Sequence, residues 1–381
     1  MNICIITSSF PSHPSDMVKA PFLIDFIDSL KRRGHQVFVY TQDRKGLKEQ
    51  FIKGIRIEWF PWMKTEKPIA SLNPFHPFDL LRLWSFFRNG KDRVIPFLKE
   101  NQMDVCLALW LLPGGWLANH AYRQTGIPYS VWSLGSDIYR YGKNPLLYPL
   151  MKRVIHEARG VFADGFDLSR KIEERFGRRC YFLATTRTLP SSTLLKDKGK
   201  SADRPYGFLF VGRFEKVKGI DLLLQSVAGW IEKRSDVQLT LVGKGSLEDW
   251  ARSFVHRNNL EGQVLFTGNI SDDELARLYE SSDCIVIPSR SDSIPLVFSE
   301  ALKFNKELIV TDVGDMGELG RKYGVADVVP PEDPMALREA MKGKVKFRDQ
   351  RPKAMEEEKR EDLKRLFNLE TSVDRFLADY I

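Results

Sequence analysis

Short apolar runs alternate with longer segments of helical spacing through the first half of the chain. Residues 20–33 show the helical pattern, since Phe22, Phe26 and Leu30 recur every four residues. Strands of a parallel sheet read as unbroken apolar runs, because helices cover both faces of the sheet. The runs that we predict as strands are residues 2–7, 36–40, 55–60, 105–109, 129–132 and 160–163. This half therefore predicts a doubly wound parallel sheet.

The same alternation restarts after a polar segment, residues 191–204, which we interpret as an interdomain linker. Predicted strands follow at 206–211, 237–242, 264–267, 284–287, 307–311 and 327–329, with helices starting near 217, 246, 271, 294 and 333. Ser271 and Glu274 have the spacing of a capping box. We expect an α/β fold of two Rossmann-like domains, residues 1–190 and 205–360. Residues 361–381 are predicted to form helices that pack back toward the first domain.

The positive charge lies in the first half. Residues 1–190 carry 28 Lys and Arg against 17 Asp and Glu, whereas residues 191–381 carry 30 against 33, which leaves a net charge of +8. A basic half suits an anionic membrane surface or a phosphate-bearing lipid, although excess charge also simply aids solubility. Nucleic acid is compatible with this charge, but it is not the partner that we expect.

The cysteines and the N-terminus indicate a compartment. Each of the four cysteines lies in or beside an apolar run, which favours free thiols in a reducing environment over disulfides or a metal site. No apolar stretch is long enough to span a bilayer, and residues 1–6 read as a strand rather than a signal peptide. We expect a cytoplasmic protein, peripheral on the inner face of the cytoplasmic membrane if it binds lipid.

Three junctions between a strand and a helix in the second half carry candidate phosphate or base chemistry. Residues 208–219 read FLFVGRFEKVKG, and Arg213 offers a planar donor fork while Lys218 offers a compact charge. A solvated basic loop would look the same. Residues 241–246 (LVGKGS) lack the third glycine of a dinucleotide fingerprint. Residues 266–270 (FTGNI) end a strand, where backbone groups either read a flat base or make a tight turn.

A fourth junction, residues 289–302 (SRSDSIPLVFSEAL), follows the apolar run 284–288. Ser293 is a candidate N-cap, and Pro295 fits the first helical turn. Asp292 then lies in the loop and Glu300 on the polar face of the helix. Loops at the carboxyl ends of parallel strands bind ligands in open α/β sheets, and a helix N-terminus suits a phosphate. An acidic residue on a polar helix face is otherwise simply solvated.

Together these four segments resemble, in order and spacing, the retaining group 1 glycosyltransferases of the GT-B fold. The resemblance is strong over 206–319 and weaker over 8–37. It implies two Rossmann-like domains facing a central cleft. It also implies an enzyme that transfers a sugar from a nucleotide-diphosphate-sugar with retention of the anomeric configuration.

The resemblance also implies roles in the second domain. Arg213 and Lys218 would hold the diphosphate, and Glu300 would bind the ribose hydroxyls. Asp292 replaces the first glutamate of the family's pair, which contacts the donor sugar, and Ser293 replaces a glycine. Two further sets would face the donor: Asn269 and Ile270 against the base, and Ile294, Pro295 and Leu296 at the helix start.

In the first domain, residues 132–137 (WSLGSD) resemble the family's acceptor-side loop. Gly135 and Asp137 match, but Leu134 stands where the family has histidine, so any role of that side chain is lost or moved. Asp137 would orient a sugar, or it caps the helix that follows. Ser9, in the first loop, would contact phosphate. The histidines have no ligand spacing, so we assign no metal.

We expect no cofactor, a donor with UDP ahead of GDP, and a glycan or lipid-linked acceptor. Residues 74–88 (PFHPFDLLRLWSFFR) are apolar, aromatic and basic, which fits either a core helix or a membrane-interface helix, and we favour the core. Two alternatives remain: a non-catalytic nucleotide-sugar-binding relative, and a nucleotide-sugar epimerase on the same fold.

Overall fold

The computed structural model describes residues 1–13, 20–44, 49–65, 69, 72–73, 75–142, 144–190, 204–348, 354–378 and 380. The chain forms two compact units. Unit 1 comprises Met1–Ala184 with Leu369–Ile381, and unit 2 comprises Thr185–Asn368. The interdomain linker that we predicted lies outside the described residues except for Arg204.

Unit 1 is built on an eight-stranded sheet. Its strands are β1 (Asn2–Ile6), β2 (Gln36–Gln42), β3 (Phe51–Ile52), β4 (Ile55–Phe60), β5 (Val105–Leu109), β6 (Tyr129–Ser133), β7 (Val161–Ala163) and β8 (Tyr181–Phe182). The spatial order is β3-β4-β2-β1-β5-β6-β7-β8. All neighbours pair in parallel apart from the hairpin β3–β4, so the order of connection reverses between β1 and β5.

Five helices of the first 184 residues cover this sheet: α1 (Pro21–Arg32), α2 (Pro77–Glu100), α3 (Trp116–Thr125), α4 (Tyr148–Glu157) and α5 (Phe166–Phe176). Short irregular helical turns follow β5 at Trp110–Gly115 and β6 at Asp137–Tyr141. On one face the sheet packs against Phe86 and Phe97 of α2, whose rings contact those of Phe60 and Tyr40. The parallel sheet predicted for this half is confirmed, and the two-residue strands β3 and β8 are additions to it.

Unit 2 repeats the architecture with six parallel strands. They are β9 (Tyr206–Val211), β10 (Val237–Val242), β11 (Val264–Gly268), β12 (Cys284–Ile287), β13 (Glu307–Thr311) and β14 (Ala326–Val329), in the order β11-β10-β9-β12-β13-β14. Its helices are α6 (Ile220–Val227), α7 (Glu248–Arg257), α8 (Asp272–Ser281), α9 (Leu296–Lys303), α10 (Met316–Tyr323), α11 (Pro334–Lys346) and α12 (Ala354–Leu366). Here the connection reverses between β9 and β12.

The last helix, α13 (Leu369–Leu377), belongs to unit 1. The segment predicted as C-terminal helices therefore divides, because α12 stays with unit 2 and α13 packs on α1. The ring centroids of Phe376 and Phe26 are 5.9 Å apart. Glu370 accepts hydrogen bonds from Ser29, Arg32 and Arg33 at 2.8 Å each. A buried aromatic contact and a cluster of charged hydrogen bonds thus join this helix to α1.

Several local predictions can be compared directly. The capping box of Ser271 and Glu274 is present at the start of α8. Helix α9 begins at Leu296 with Pro295 as its N-cap, so Ser293 is not the cap that we predicted.

All four cysteines are buried free thiols, as expected. Among the described helices, none has the length and apolarity needed to cross a bilayer.

Candidate functional site

The reversal of connection in unit 2 places two loops side by side. β9 is flanked by β10 and β12, and the chain leaves the carboxyl end of each strand into a loop. In parallel sheets this point is where a crevice opens at the strand ends. The loop after β9 carries Arg213 and Lys218, and the loop after β12 carries Asp292 and Ser293.

An ion pair joins these two loops. The Nζ of Lys218 lies 2.6 Å from Oδ1 of Asp292. The second oxygen of Asp292, Oδ2, is buried and has no hydrogen-bond partner among the residues that the structure describes. Ser293 is only 8% exposed, and its Oγ is likewise buried without a hydrogen-bond partner among the described residues. Buried polar atoms without partners are rare in folded proteins and mark places where water or a polar ligand binds.

Two glycines allow the loop after β12 to lie close to its neighbours: Gly219 in the loop after β9 and Gly314 in the loop after β13. Gly219 has a φ of +73°, and a Cβ built on it would lie 1.9 Å from the carbonyl oxygen of Pro288. Gly314, with a φ of +54°, would place a Cβ 2.1 Å from the carbonyl oxygen of Asp292. Any side chain at either position would collide with backbone and strain φ. The backbone therefore holds Lys218 and Asp292 at the edge of the same crevice.

The other predicted cation, Arg213, has an exposed side chain. No carboxylate of the described residues lies within salt-bridge distance of it. Two residues further on, Glu215 accepts hydrogen bonds from the Ser246 hydroxyl at 2.7 Å and from its N–H at 3.2 Å. This contact ties the loop after β9 to the loop after β10, while Arg213 stays available for an anion.

A third cation of this region, Arg290, has a structural role that the sequence did not indicate. It donates to Asp221 at 2.6 and 2.8 Å and to Glu332 at 2.6 Å. The hydrogen bonds that Arg290 donates to Asp221 raise the pKa of its guanidinium, and Glu332 adds to the effect. Arg290 thus fastens the loop after β12 to α6, and its charge is already matched.

We predicted two alternatives for Glu300, a contact with the ribose hydroxyls or a solvated position on a polar helix face. Glu300 is 1% exposed, so it does not lie on a solvated polar face. Its Oε1 accepts from Nε of Arg187 at 2.5 Å, and its Oε2 accepts from the Tyr279 hydroxyl at 2.6 Å. Because both oxygens are buried and engaged, ribose hydroxyls cannot reach them in this conformation.

Arg187, the partner of Glu300, lies in a segment that is hydrogen-bonded to both α8 and α9. Arg187 also donates to Asp272 at 3.0 Å, and Lys303 donates to the Thr186 hydroxyl and the Arg187 carbonyl at 2.5 and 2.7 Å. Burial, the largest single influence, lowers the pKa of Arg187, but Glu300, Asp272 and Tyr279 together raise it overall. Burial raises the pKa of the Tyr279 hydroxyl, with Glu300 adding to it.

The other residues predicted to face the donor differ in how far their side chains are exposed. Asn269 is exposed and Ile270 is half-buried directly after β11, where a planar group could rest against them. Pro295 and Leu296 are half-buried at the start of α9. Ile294 is buried, so only its backbone could face a ligand. The prediction that these three residues offer the helix start to the donor stays a prediction, and for Ile294 it concerns the backbone.

In unit 1, Asp137 is fully buried. Its Oδ2 accepts from the Leu111 N–H at 2.7 Å, and its Oδ1 accepts from the Ser133 hydroxyl at 2.8 Å. Burial raises the pKa of this carboxyl despite these hydrogen bonds. We predicted that Asp137 orients a sugar or caps the helix that follows; the turn at Asp137–Tyr141 has no side-chain cap, and the sugar role stays a prediction. In this structure Asp137 joins the turn after β5 to the end of β6.

The other unit 1 candidates lie at strand ends. Gly135 has a φ of +86°, which favours glycine, and it follows the half-buried Leu134. Ser9 donates its N–H to the Thr7 hydroxyl at 3.1 Å just after β1. Most of the rest of that first loop, 14–19, lies outside the described residues. Within the described ranges, no three His, Cys, Asp or Glu side chains are grouped as metal ligands would be.

Family models match both halves of the chain. Residues 191–362 match the model described as "Glycosyl transferases group 1", and residues 23–180 match "Glycosyl transferase 4-like domain". The chain belongs to the group 1 glycosyltransferase family. Its two doubly wound units have the GT-B fold, which confirms the fold class predicted from the four motif segments.

Individual relatives of this group 1 glycosyltransferase are distant. It is 32% identical over 129 residues to an uncharacterized glycosyltransferase of Methanocaldococcus jannaschii, covering 34% of this chain and 33% of that one. It is 28% identical over 223 residues to D-rhamnosyltransferase WbpZ of Pseudomonas aeruginosa, covering 56% and 57%. The matched part spans only about a third of the length of the first of these relatives and about half of the second.

Solved structures match over the whole length. Sucrose-phosphate synthase from Thermosynechococcus elongatus has a TM-score of 0.77 at 18% identity, covering 100% of this chain and 98% of that one. The Anabaena protein HepE, solved in complex with UDP, has a TM-score of 0.73 at 15% identity, covering 99% of both chains. HepE was also solved with UDP-glucose, and that structure has a TM-score of 0.71 at 15% identity, again covering 99% of both chains. At these identities the likeness establishes the shared fold.

For this group 1 glycosyltransferase, the structure brings together only part of the predicted site. Lys218, Asp292 and Ser293 meet at the crevice of unit 2, with Arg213 on the same loop as Lys218. Glu300 is committed to Arg187. The residues that sequence reasoning missed, Arg187 and Arg290, lie far in sequence from their carboxylate partners, and no local motif signals such pairs.

Proposed function

We propose that this protein transfers a sugar from a nucleotide-diphosphate-sugar to a glycan or a lipid-linked acceptor. The proposal rests on one observation above all. Lys218 and Asp292 form a 2.6 Å ion pair across the point where the sheet of unit 2 reverses its order of connection. Unpartnered buried oxygens of Asp292 and Ser293 lie beside the pair. We further propose an anionic membrane surface as a partner of unit 1.

The diphosphate of the donor would bind to the cations of the loop after β9. The ammonium of Lys218 has three donors, of which Asp292 uses one, so two remain for phosphate oxygens. Arg213 adds a bidentate fork with no competing carboxylate among the described residues. The free N–H groups at the start of α9, which has no side-chain cap, add partial positive charge.

The donor sugar would bind to the oxygens left without partners. Sugar hydroxyls are donors, and Oδ2 of Asp292 and Oγ of Ser293 are buried acceptors without described partners. Satisfying them would remove the free-energy cost of leaving them unpaired, about 1–3 kcal/mol for each group. Ser293 is a hydroxyl at a position where the family usually has glycine. We therefore assign it to contact with the sugar.

The reaction that suits these groups is a front-face transfer with retention and without a metal. The bond between the anomeric carbon and the phosphate oxygen breaks, and the bond to the acceptor oxygen forms on the same face. The leaving phosphate takes the proton of the acceptor hydroxyl, so no separate base is required. Lys218 and Arg213 would stabilise the negative charge that develops on the phosphate. One preorganised donor of this kind commonly contributes about 10²–10³-fold in rate.

For the donor base we propose uracil ahead of guanine, supported by the fold shared with HepE, which was solved with UDP and UDP-glucose. Asn269 and Ile270 would face the base after β11. We do not assign the ribose to Glu300, because Arg187 and Tyr279 occupy both of its oxygens.

Nucleotide-induced thermal shifts test the phosphate assignment. UDP, GDP, ADP and their sugar conjugates are added to the wild type, to Lys218→Ala and to Lys216→Ala. A ligand at about 100 times its dissociation constant stabilises by about 2.7 kcal/mol, which raises the melting temperature measurably. We expect one base to give a shift that Lys218→Ala loses. Lys216→Ala is the matched control, because its exposed side chain lies two residues away and faces no carboxylate of the described chain.

Three outcomes would count against the proposal. Shifts that survive in Lys218→Ala would exclude the phosphate role of Lys218. Equal losses in both lysine variants would indicate a general charge effect. The absence of a shift with every nucleotide would argue against transfer altogether. Sustained release of nucleoside diphosphate over many turnovers distinguishes an enzyme from a non-catalytic binding relative.

A further inference from the structure

The first half of α2 has large apolar side chains on its outer face. Phe75, just before the helix, is 94% exposed, and Trp84 is 57% exposed. Phe78 and Leu81 lie on the same side as Trp84, because residues three apart in a helix share a face. The core location that we favoured for residues 74–88 is therefore wrong for this face; residue 74 itself lies outside the described residues. Exposed apolar clusters of this kind mark interaction sites.

The opposite face of the helix already makes the core contacts. Phe86 is buried and packs against Phe60 at 5.1 Å and Trp62 at 5.6 Å between ring centroids. Asp79 and Ser85 are also buried on this inner side. The helix thus has its core-facing side satisfied, and the outer apolar side chains are additional to what folding requires.

The charges around the outer face are predominantly positive. The acid of this half-helix, Asp79, is buried and accepts from Arg82 at 2.8 Å and from the Asn73 N–H at 3.2 Å. Arg88 lies over the Trp84 ring at 5.0 Å from its centroid. Its nearest acid, Asp92, is 3.9 Å away, at the outer limit of an ion pair. The aromatic side chains are therefore bordered by cations.

A groove continues this surface toward α3. Its volume is about 660 Å³, and Leu80, Trp84, Phe87, Lys91 and Trp116 are among the residues that line it. The Phe87 and Trp116 rings form an edge-to-face pair with centroids 5.0 Å apart. The groove has apolar walls, and its charged lining residues are Arg88, Lys91 and Asp92, a net positive set that matches a molecule with an apolar chain and an anionic head.

We propose that this face of unit 1 docks on an anionic lipid bilayer. The docking surface, hereafter the α2 surface, consists of Phe75, Phe78, Leu80, Leu81, Trp84 and Arg88. Aromatic and aliphatic side chains of a helix lying in the interface enter the boundary between headgroups and acyl chains, while Lys and Arg pair with lipid phosphates. The net charge of +11 over residues 1–190, from 28 basic and 17 acidic residues, adds long-range attraction to an extended negative surface.

Charge complementarity favours a bilayer over a second copy of this chain. A symmetric self-interface would bring the cations of the α2 surface against the same cations of the partner copy. An anionic bilayer instead neutralises them and accepts protruding rings without a shaped pocket. The inference rests on the membrane partner proposed above and names its surface. It is independent of the transfer reaction, because all of its residues belong to unit 1 and the nucleotide assignment rests on unit 2.

Vesicle co-sedimentation tests the proposal on the full chain. One set of vesicles is phosphatidylcholine alone, and a second set also contains phosphatidylglycerol. We expect binding to the second set that weakens with salt. Trp84→Glu should reduce partitioning by about tenfold or more, since it removes apolar insertion and adds repulsion. Lys91→Gln should reduce it by about fivefold, the effect of losing one cation near the surface.

Phe51→Glu is the matched control. Phe51 is 57% exposed, like Trp84, lies in the same unit, and undergoes the same change of charge, but it lies on β3. This variant should keep most of the binding. Equal losses in Trp84→Glu and Phe51→Glu would overturn the proposal in favour of net charge. Equal binding to both vesicle sets, or binding to neither, would also overturn it.

Two measurements keep the result interpretable. Light scattering without lipid gives the oligomeric state, and a dimer that Trp84→Glu dissociates, in a protein that ignores vesicles, would assign the surface to self-association and overturn the proposal. The nucleotide-induced thermal shift of Trp84→Glu should equal that of the wild type. That result shows that the variant is folded, and it separates failure of membrane docking from failure of the nucleotide site.

Discussion

Asp292 shows how a single residue can keep a charge and change its reach. Aspartate is one methylene shorter than the glutamate expected from the family resemblance, and in the structure its Oδ1 contacts Lys218 at 2.6 Å. The other oxygen stays buried without a partner among the described residues. The same carboxylate can therefore orient Lys218, the lysine that we propose binds phosphate, and accept one hydrogen bond from a sugar. By contrast, Asp137 has its oxygens in hydrogen bonds to Leu111, Ser133 and its own loop.

Asp292→Ala should reduce sugar transfer far more than nucleotide binding. Transfer should fall by about 10²–10³-fold, because a preorganised contact to the reacting sugar is lost. Nucleoside diphosphate binding should persist, since a negative charge beside the phosphates is removed. The measurements are kcat for transfer and the dissociation constant for the nucleotide. Asp292→Glu, which keeps the charge, is the control and should retain activity; full activity in Asp292→Ala would contradict the assignment.

At the scale of elements, the site depends on how closely the loops after β9 and β12 pack. Gly219 lies between the 3₁₀ turn Lys216–Lys218 and α6, directly after Lys218. Its Cα faces the carbonyl of Pro288 at the end of β12. On the other side of α9, Arg187 and Lys303 hold the segment around Thr186 in place. The position of each loop is therefore determined by the neighbouring element.

Gly219→Ala should abolish nucleotide binding and destabilise unit 2. The new Cβ would lie 1.9 Å from the Pro288 carbonyl oxygen, so the backbone that carries Lys218 must move. Gly229→Ala is a matched control, because Gly229 has a similar φ of +79° and nothing within 4 Å of its Cβ position. That variant should lose only about 1–2 kcal/mol for the left-handed conformation. Thermal unfolding with and without nucleotide measures both effects, and similar behaviour of the two variants would refute the packing argument.

At the scale of the whole molecule, the chain builds the same order of six central strands twice, with the edge strands β3 and β8 added in unit 1, and then returns to unit 1. In each sheet, strands are added first on one side of the first strand and then on the other. The order of connection therefore reverses beside β1 in unit 1 and beside β9 in unit 2. The last helix, α13, packs on α1, and its Phe376 is fully buried near Phe26 and Phe162. Unit 1 therefore includes residues from both ends of the sequence.

Phe376→Ala should destabilise unit 1 selectively. Removing a buried phenylalanine costs about 3–5 kcal/mol in the free energy of unfolding. Hydrogen exchange should show the loss of protection in α1, β6 and β7, and unit 2 should keep its protection. The control is Phe347→Ala, since that ring is exposed and belongs to unit 2. Loss of protection across both units alike would show that the two do not unfold separately.

The sequence by itself determined the α/β class, the two sheets and the pair of cations in the loop after β9. These features are local. Buried parallel strands appear in the sequence as apolar runs, and Arg213, Lys218 and Asp292 lie in short segments whose residue types and spacing can be recognised. The capping box of Ser271 and Glu274 could be predicted for the same reason, because its residues are three positions apart. The alternation of strands and helices also predicted that these residues lie in loops at the carboxyl ends of strands.

Only the tertiary structure decided the environment of each side chain. Glu300 lies at a polar position of an amphipathic pattern, yet Arg187, more than a hundred residues earlier, buries and neutralises it. Asp137 is buried by Leu111 and Ser133, and the outer face of α2 stays exposed although its spacing suits a core helix. Periodicity specifies which residues share a face of a helix. What covers that face depends on contacts between segments far apart in sequence, and these form only when the chain folds.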